Sequence, residues 1–216
     1  MPENLDEAEI RVLGSLVEKQ LTTPEYYPLT LNALTAACNQ KSNRDPVVSY
    51  DEATILGAID SLREKNLVYL YYGSTSRTVK YKHMLPSVYE LDAAATAVMG
   101  VLMLRGPQTL GEIRERSGRL FEFGSIAEVS EKLDELSRRE EPLVVKLERQ
   151  PGQKDHRYAH LLGGPVMASA IANKHEIIRD AASGSKIAEL EQAVAELKDD
   201  LAEFRREFGE FRKQFE

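Results

Sequence analysis

The chain has 216 residues and a formal net charge of −7, with 42% hydrophobic and 29% charged residues, the balance of an ordinary globular protein. No apolar run approaches the roughly 18 residues a membrane-spanning helix needs, and the acidic N-terminus lacks a signal-peptide pattern. A single cysteine, Cys38, excludes an internal disulfide framework and a multi-cysteine zinc site. The expectation is a cytoplasmic protein with no membrane partner, in which any nucleic-acid surface is a local patch, because phosphate binding draws on clustered Lys and Arg.

Along the chain, Asn4 and Glu7 form an N-cap pair ahead of Ile10, Leu13, Leu16 and Val17 on one helical face. Thr23-Pro24 and Tyr27-Pro28 end that helix, and residues 29–38 predict a shorter one with Leu31, Leu34, Ala37 and Cys38 at helical spacing. A polar loop, residues 39–46, leads to Ser49 and Glu52, read as the capping box of a third helix carrying Ile55, Leu56, Ile59 and Leu62. Residues 67–72 and 77–84 predict two strands around the turn Gly73-Ser74-Thr75-Ser76. Three helices and a terminal hairpin is the winged-helix order.

The order then repeats. An Ala-rich helix over 91–104 stops at Arg105-Gly106-Pro107; Thr109 with Glu112, then Ser125 with Glu128, cap two further helices; and strands over 143–147 and 156–162 flank Pro151-Gly152. The halves share element order and capping but little residue identity, which predicts a first domain over 1–90 and a second over 91–164. Residues 165–185 predict a helical linker, weakest at Ala182-Ser183-Gly184-Ser185. Over 186–216, Ile187, Leu190, Val194, Leu197, Leu201, Phe204, Phe208, Phe211 and Phe215 alternate by three and four residues, the a/d seam of a coiled coil. Parallel self-pairing sets Lys186 against Glu191, Asp200 against Arg205 and Glu207 against Arg212, whereas antiparallel pairing opposes Lys198 and Arg205. The predicted fold class is therefore mainly α with small β-hairpins (α+β), two tandem winged helix-turn-helix domains followed by a C-terminal coiled-coil helix. A parallel homodimer is the favoured use of the seam; packing of the stripe on the chain's own domains is the alternative.

One stretch is more specific. Residues 18–34 (Glu18-Lys19-Gln20-Leu21-Thr22-Thr23-Pro24 through Leu34) and 37–47 (Ala37-Cys38-Asn39-Gln40-Lys41-Ser42-Asn43-Arg44-Asp45-Pro46-Val47) resemble the signature of the YceH-like family of uncharacterised bacterial proteins. Residues 104–109 and 111–114, then Leu143-Val144, Gln150-Pro151-Gly152 and Arg157-Tyr158, resemble its later blocks. The resemblance covers roughly residues 5–164. It implies tandem winged helices in a bacterial cytoplasm and no established activity.

Candidate contacts follow from charge. In the loop, Lys41, Asn43 and Arg44 could meet phosphates as the third helix enters a groove, or Asn43 and Asp45 could close an Asx turn with Arg44 paired to Asp45. Residues 63–82 hold Arg63, Lys65, Arg77, Lys80 and Lys82 against Glu64 alone. In a hairpin wing, Arg77, Lys80 and Lys82 suit a DNA backbone, or they keep an edge hairpin soluble. The third helices begin with Asp51 and Glu52 and with Glu128, Glu131 and Glu135, which repel phosphate and disfavour base reading. Tyr69 and Tyr71 share one strand face, a pattern more typical of packing than of base stacking. His156 and His160, on one predicted strand, would stand about 13 Å apart, too far to share a metal. Cys38 reads as core. No catalytic motif, cofactor site or metal set is present in the pattern. Two functional expectations result: a dimeric DNA-binding or transcription-associated protein, or a non-enzymatic scaffold that binds another protein through its winged helices.

Overall fold

The computed structural model describes residues 4–73, 78–149 and 154–164, which belong to one compact unit. Among them the fold is mixed α and β, seven α-helices and two small antiparallel sheets, with helix–helix–helix–hairpin order in each half. The coiled-coil seam from Ile187 to Phe215 lies outside the described residues.

Helix α1 (Glu7–Thr22) opens on Asp6, whose carboxylate accepts from the Glu9 amide at 2.8 Å while the Asp6 amide donates to Glu9 at 2.7 Å. This reciprocal cap corrects the expected Asn4–Glu7 pair. Residues 4–9 offer the capping spacing twice, and tertiary contact decides: Leu5 is buried and its amide donates to the Leu162 carbonyl at 2.8 Å, so the chain stays extended through residue 5. Strand β1 (Leu29–Thr30) precedes α2 (Leu31–Cys38), capped by Thr30. Helix α3 (Glu52–Glu64) is capped by Asp51, which accepts from Thr54 at 2.8 Å, correcting the expected cap at Ser49. The cause is Asn39. Its side chain donates to the Tyr50 carbonyl at 2.7 Å and accepts from the Tyr50 amide at 2.8 Å, which holds the segment before Asp51 out of the helix.

Strands β2 (Val68–Tyr71) and β3 (Lys80–His83) join β1 in the order β1-β3-β2. A short α4 (Leu85–Tyr89), unforeseen from sequence, links to α5 (Ala93–Arg105). In the second half, α6 (Leu110–Ser117) starts on the Thr109–Glu112 capping box and α7 (Ile126–Ser137) on Ser125. Glu128 turns to the Gly124 amide instead of completing a box. Strands β4 (Val144–Lys146) and β5 (Tyr158–His160) pair antiparallel. Gln108 exchanges backbone bonds with Tyr158 at 3.0 and 2.8 Å, standing where β1 stands beside β3 in the first half.

The two halves share one core. Every residue of α5 from Ala94 to Leu104 is buried, as befits a helix apolar all round. It lies against α1 at two glycines: a Cβ on Gly14 would fall 3.0 Å from Met103 and Leu104, and one on Gly100 would fall 3.0 Å from Val17. The turn after α5 needs Gly106, whose φ of 65° a side chain would oppose. The Asp45 amide then donates to the Leu104 carbonyl at 2.9 Å and docks the 39–46 loop on the end of α5.

Candidate nucleic-acid interface

Strand alternation gives the first sheet two different faces. Leu29, Tyr81 and Leu70 lie side by side on the inner face, with Val68 opposite His83. On the outer face Tyr69 stands opposite Lys82 and Tyr71 opposite Lys80, with Thr30 flanking Lys80 on the other side. Directly opposed residues of an antiparallel pair share a face and lie within side-chain contact range. Tyr69 is 51% exposed and Tyr71 48%, so neither is a core residue, and each ring leaves about half its surface open on the outer face. Lys82 is exposed and Lys80 half-buried, and neither has a carboxylate partner among the described residues. The result is a two-by-two ladder of phenols and ammonium groups. Sequence reading misses the pairing because the strand register, not the spacing along either strand, brings the two pairs together.

Beneath this face sits His83. Its amide donates to the Tyr27 hydroxyl at 2.7 Å, and the Tyr27 ring meets the imidazole edge-on at 5.9 Å. Both imidazole nitrogens are buried without a partner among the described residues. Burial, aided by Lys82, pulls the His83 pKa down to about 4, so the ring is neutral near pH 7.

The other predicted contacts fare differently. Arg44 is corrected from a phosphate ligand to a structural residue. Its side chain is 0% exposed, and it donates to Glu18 at 2.6 and 3.1 Å and to the Ala37 carbonyl at 2.9 and 3.2 Å. Burial alone would raise the Glu18 pKa, but these hydrogen bonds and the Arg44 charge hold it below its ordinary value. Asn43 adopts a φ of 59°, and its side-chain oxygen accepts from Arg105. Lys41 is exposed. Lys41 and Asn43 line a cleft whose residues include none from the hairpin, so the loop and the hairpin form no common patch there. Arg77 lies outside the described residues. The remaining charges predicted for the wing are partly spent: Arg63 pairs with Asp60 at 2.9 Å, and Lys65 pairs with Glu9.

The exposed side of α3 presents Glu52, Leu56, Asp60 and Glu64; that of α7 presents Ile126, Glu128, Glu131 and Asp134. Cys38 is buried, and desolvation pushes its thiol up to about 11. His156 lies before β5, with Nδ1 3.0 Å from the Leu147 carbonyl, while His160 is buried on the strand. Among the described residues no group of three His, Cys, Asp or Glu could hold a metal ion, and no helix is long and apolar enough to cross a membrane.

Residues 5–153 match the family model described as a protein of unknown function, DUF480. The chain is 54% identical over 167 residues to a UPF0502 protein of Opitutus terrae, covering 77% of this chain and 73% of that one. It is 50% identical over 192 residues to a UPF0502 protein of Citrifermentans bemidjiense, covering 89% of each. A UPF0502 protein of Shewanella amazonensis is 45% identical over 196 residues, covering 88% of this chain and 92% of that one. The chain belongs to this bacterial family. The family match reaches the 39–46 loop, the first hairpin and the α1–α5 packing alike, and it agrees with the YceH-like resemblance of residues 5–164.

Proposed function

We propose that this DUF480-family chain is a non-enzymatic, cytoplasmic DNA-binding or transcription-associated protein. It is built on two tandem winged-helix units and paired as a parallel dimer through the Ile187–Phe215 seam. The observation that carries the reading is the outer ladder of the first hairpin, in which Lys82 and Lys80 stand opposite Tyr69 and Tyr71. The lysines supply phosphate contacts, and the exposed phenols add hydroxyl donors and flat faces beside a backbone or minor groove. The acidic outer side of α3 opposes deep entry of that helix into a groove. The protein therefore holds the duplex more than it reads it, and affinity is nearly independent of sequence and steeply dependent on salt. Fluorescence anisotropy with mixed-sequence duplex, at low and moderate salt, tests this reading.

A second reading rests on α3 and α7 themselves. Each presents carboxylates around one exposed apolar residue, Leu56 at 38% and Ile126 at 48% exposure, a surface suited to a basic protein partner. Under that reading the chain is a scaffold, and the hairpin lysines merely guard a sheet edge.

A further inference from the structure

A cleft of about 890 Å³ opens where α1, the 39–46 loop, α5 and the end of α6 meet. Five cations line it, Lys19, Lys41, Arg105, Arg116 and Arg119, and they come from four separate segments. Two carboxylates, Glu18 and Glu115, also face it, but Glu18 is already held by Arg44 from behind. In a chain of net charge −7, this is a concentrated positive site. Gly100, Leu104 and Leu120 supply an apolar part of the wall.

Structural roles account for only some of these cations. Lys19 pairs with Glu18 at 3.6 Å, Arg116 reaches Glu112 at 3.4 Å and also donates to Gln108, and Arg105 donates to Asn43. Favourable interaction with the α6 dipole would explain a cation at that helix's last turn, but not the approach of Lys41 and Arg105 from elsewhere. Lys41 and Arg119 have no side-chain hydrogen bond or ion pair among the described residues, and both line the cleft. Arg105 is held as a cation in a partly desolvated place beside another cation. Burial, then the nearby Arg116 charge, lowers its pKa from the ordinary value. Converging cations that repel one another are stabilised by an anion placed among them.

We propose that this cleft binds a small organic polyphosphate, its phosphates held by Lys41, Arg105 and Arg119 and its organic part against Gly100 and Leu104. The volume lies within the range of small-molecule sites. The site is independent of the hairpin reading, since it shares no residue with β2 or β3. Phosphate groups could instead belong to a DNA strand, and the test separates the two sources.

The full chain is titrated calorimetrically with ATP, with inorganic tripolyphosphate and with a short DNA duplex. The expected result is saturable one-to-one binding of ATP and of tripolyphosphate, with ATP tighter. A K41A/R119A double variant should weaken both by at least about tenfold, whereas K80A/K82A should leave both unchanged. Because the Lys41 and Arg119 side chains bond to no other described residue, the double variant should unfold at the wild-type temperature, and K41R/R119K should recover part of the affinity. Three results would overturn the site: no saturable binding of either compound at millimolar concentration, binding indifferent to K41A/R119A, or loss of duplex affinity in K41A/R119A without any free polyphosphate binding. The last would assign the cleft to DNA.

Discussion

Arg44 grips Glu18 through two guanidinium nitrogens, at 2.6 and 3.1 Å, across 26 residues of sequence, and the same side chain caps the Ala37 carbonyl. One residue thereby ties α1, the end of α2 and the loop before α3. Removing it leaves the Ala37 carbonyl without these donors and the partly buried Glu18 carboxylate with only the longer Lys19 contact at 3.6 Å. Arg44→Ala should cost about 3 kcal/mol or more in urea unfolding, and Arg44→Lys should restore only part, since an ammonium cannot reproduce the fork. A loss within about 0.5 kcal/mol of wild type would contradict this structural role.

Much of the fold is legible because it is written in local signals. Thr109 with Glu112 and Ser125 cap their helices as their spacing indicates, and the Ala-rich run of α5 is continuous helix. The misplaced caps at Asn4 and Ser49 show where local signals end. Long-range bonds from Leu162 and Asn39 delay those helices by two residues. The candidate site is less legible for the same reason. Arg44 reads as a free loop cation until Glu18 comes beside it, and the Tyr69–Lys82 pair depends on register. The cleft joins segments as distant as Lys19 and Arg119, which no spacing rule connects.

The α1–α5 crossing gives a second prediction. Gly100→Ala and Gly14→Ala each push a methyl to 3.0 Å from buried side chains and should cost about 1–3 kcal/mol by urea unfolding. Gly57, in α3, has open space where a methyl would stand, with nothing beyond its own stretch of helix within 4 Å, and should behave oppositely. Gly57→Ala should stabilise by roughly 0.5–1 kcal/mol through helix propensity. Equal effects at Gly57 and Gly100 would contradict close packing of the two helices.

Stability should also respond to acid. Burial lowers both His83 and His160 from 6.5 to about 4, so the folded chain keeps them neutral while the unfolded chain takes up protons first. The unfolded state then binds more protons between pH 6.5 and 4, and stability falls as pH falls through that window. Each histidine removes about 3 kcal/mol of stability once the pH is below both values. Urea midpoints at stepped pH, for the wild type and for His83→Phe, measure this. The variant should lose part of the acid sensitivity; an unchanged pH slope would contradict a neutral, buried His83.

The tail makes a prediction from sequence alone. A chain ending at Gly184 lacks the whole seam and should be monomeric by light scattering, whereas the full chain should be dimeric. Replacing Leu197 and Leu201 with Asp should have the same effect. A truncated chain that remains dimeric would move the interface elsewhere.

The most direct test of the central claim is the hairpin's contribution to DNA affinity. Wild-type protein and the K80A/K82A variant are titrated against mixed-sequence duplex by anisotropy over a series of salt concentrations. The expected outcome is measurable wild-type binding at low salt, weaker binding by the variant on every sequence tried, and a log-affinity against log-salt slope smaller by about 2. No wild-type binding at low salt, or a variant that matches the wild type in affinity and slope, would contradict it.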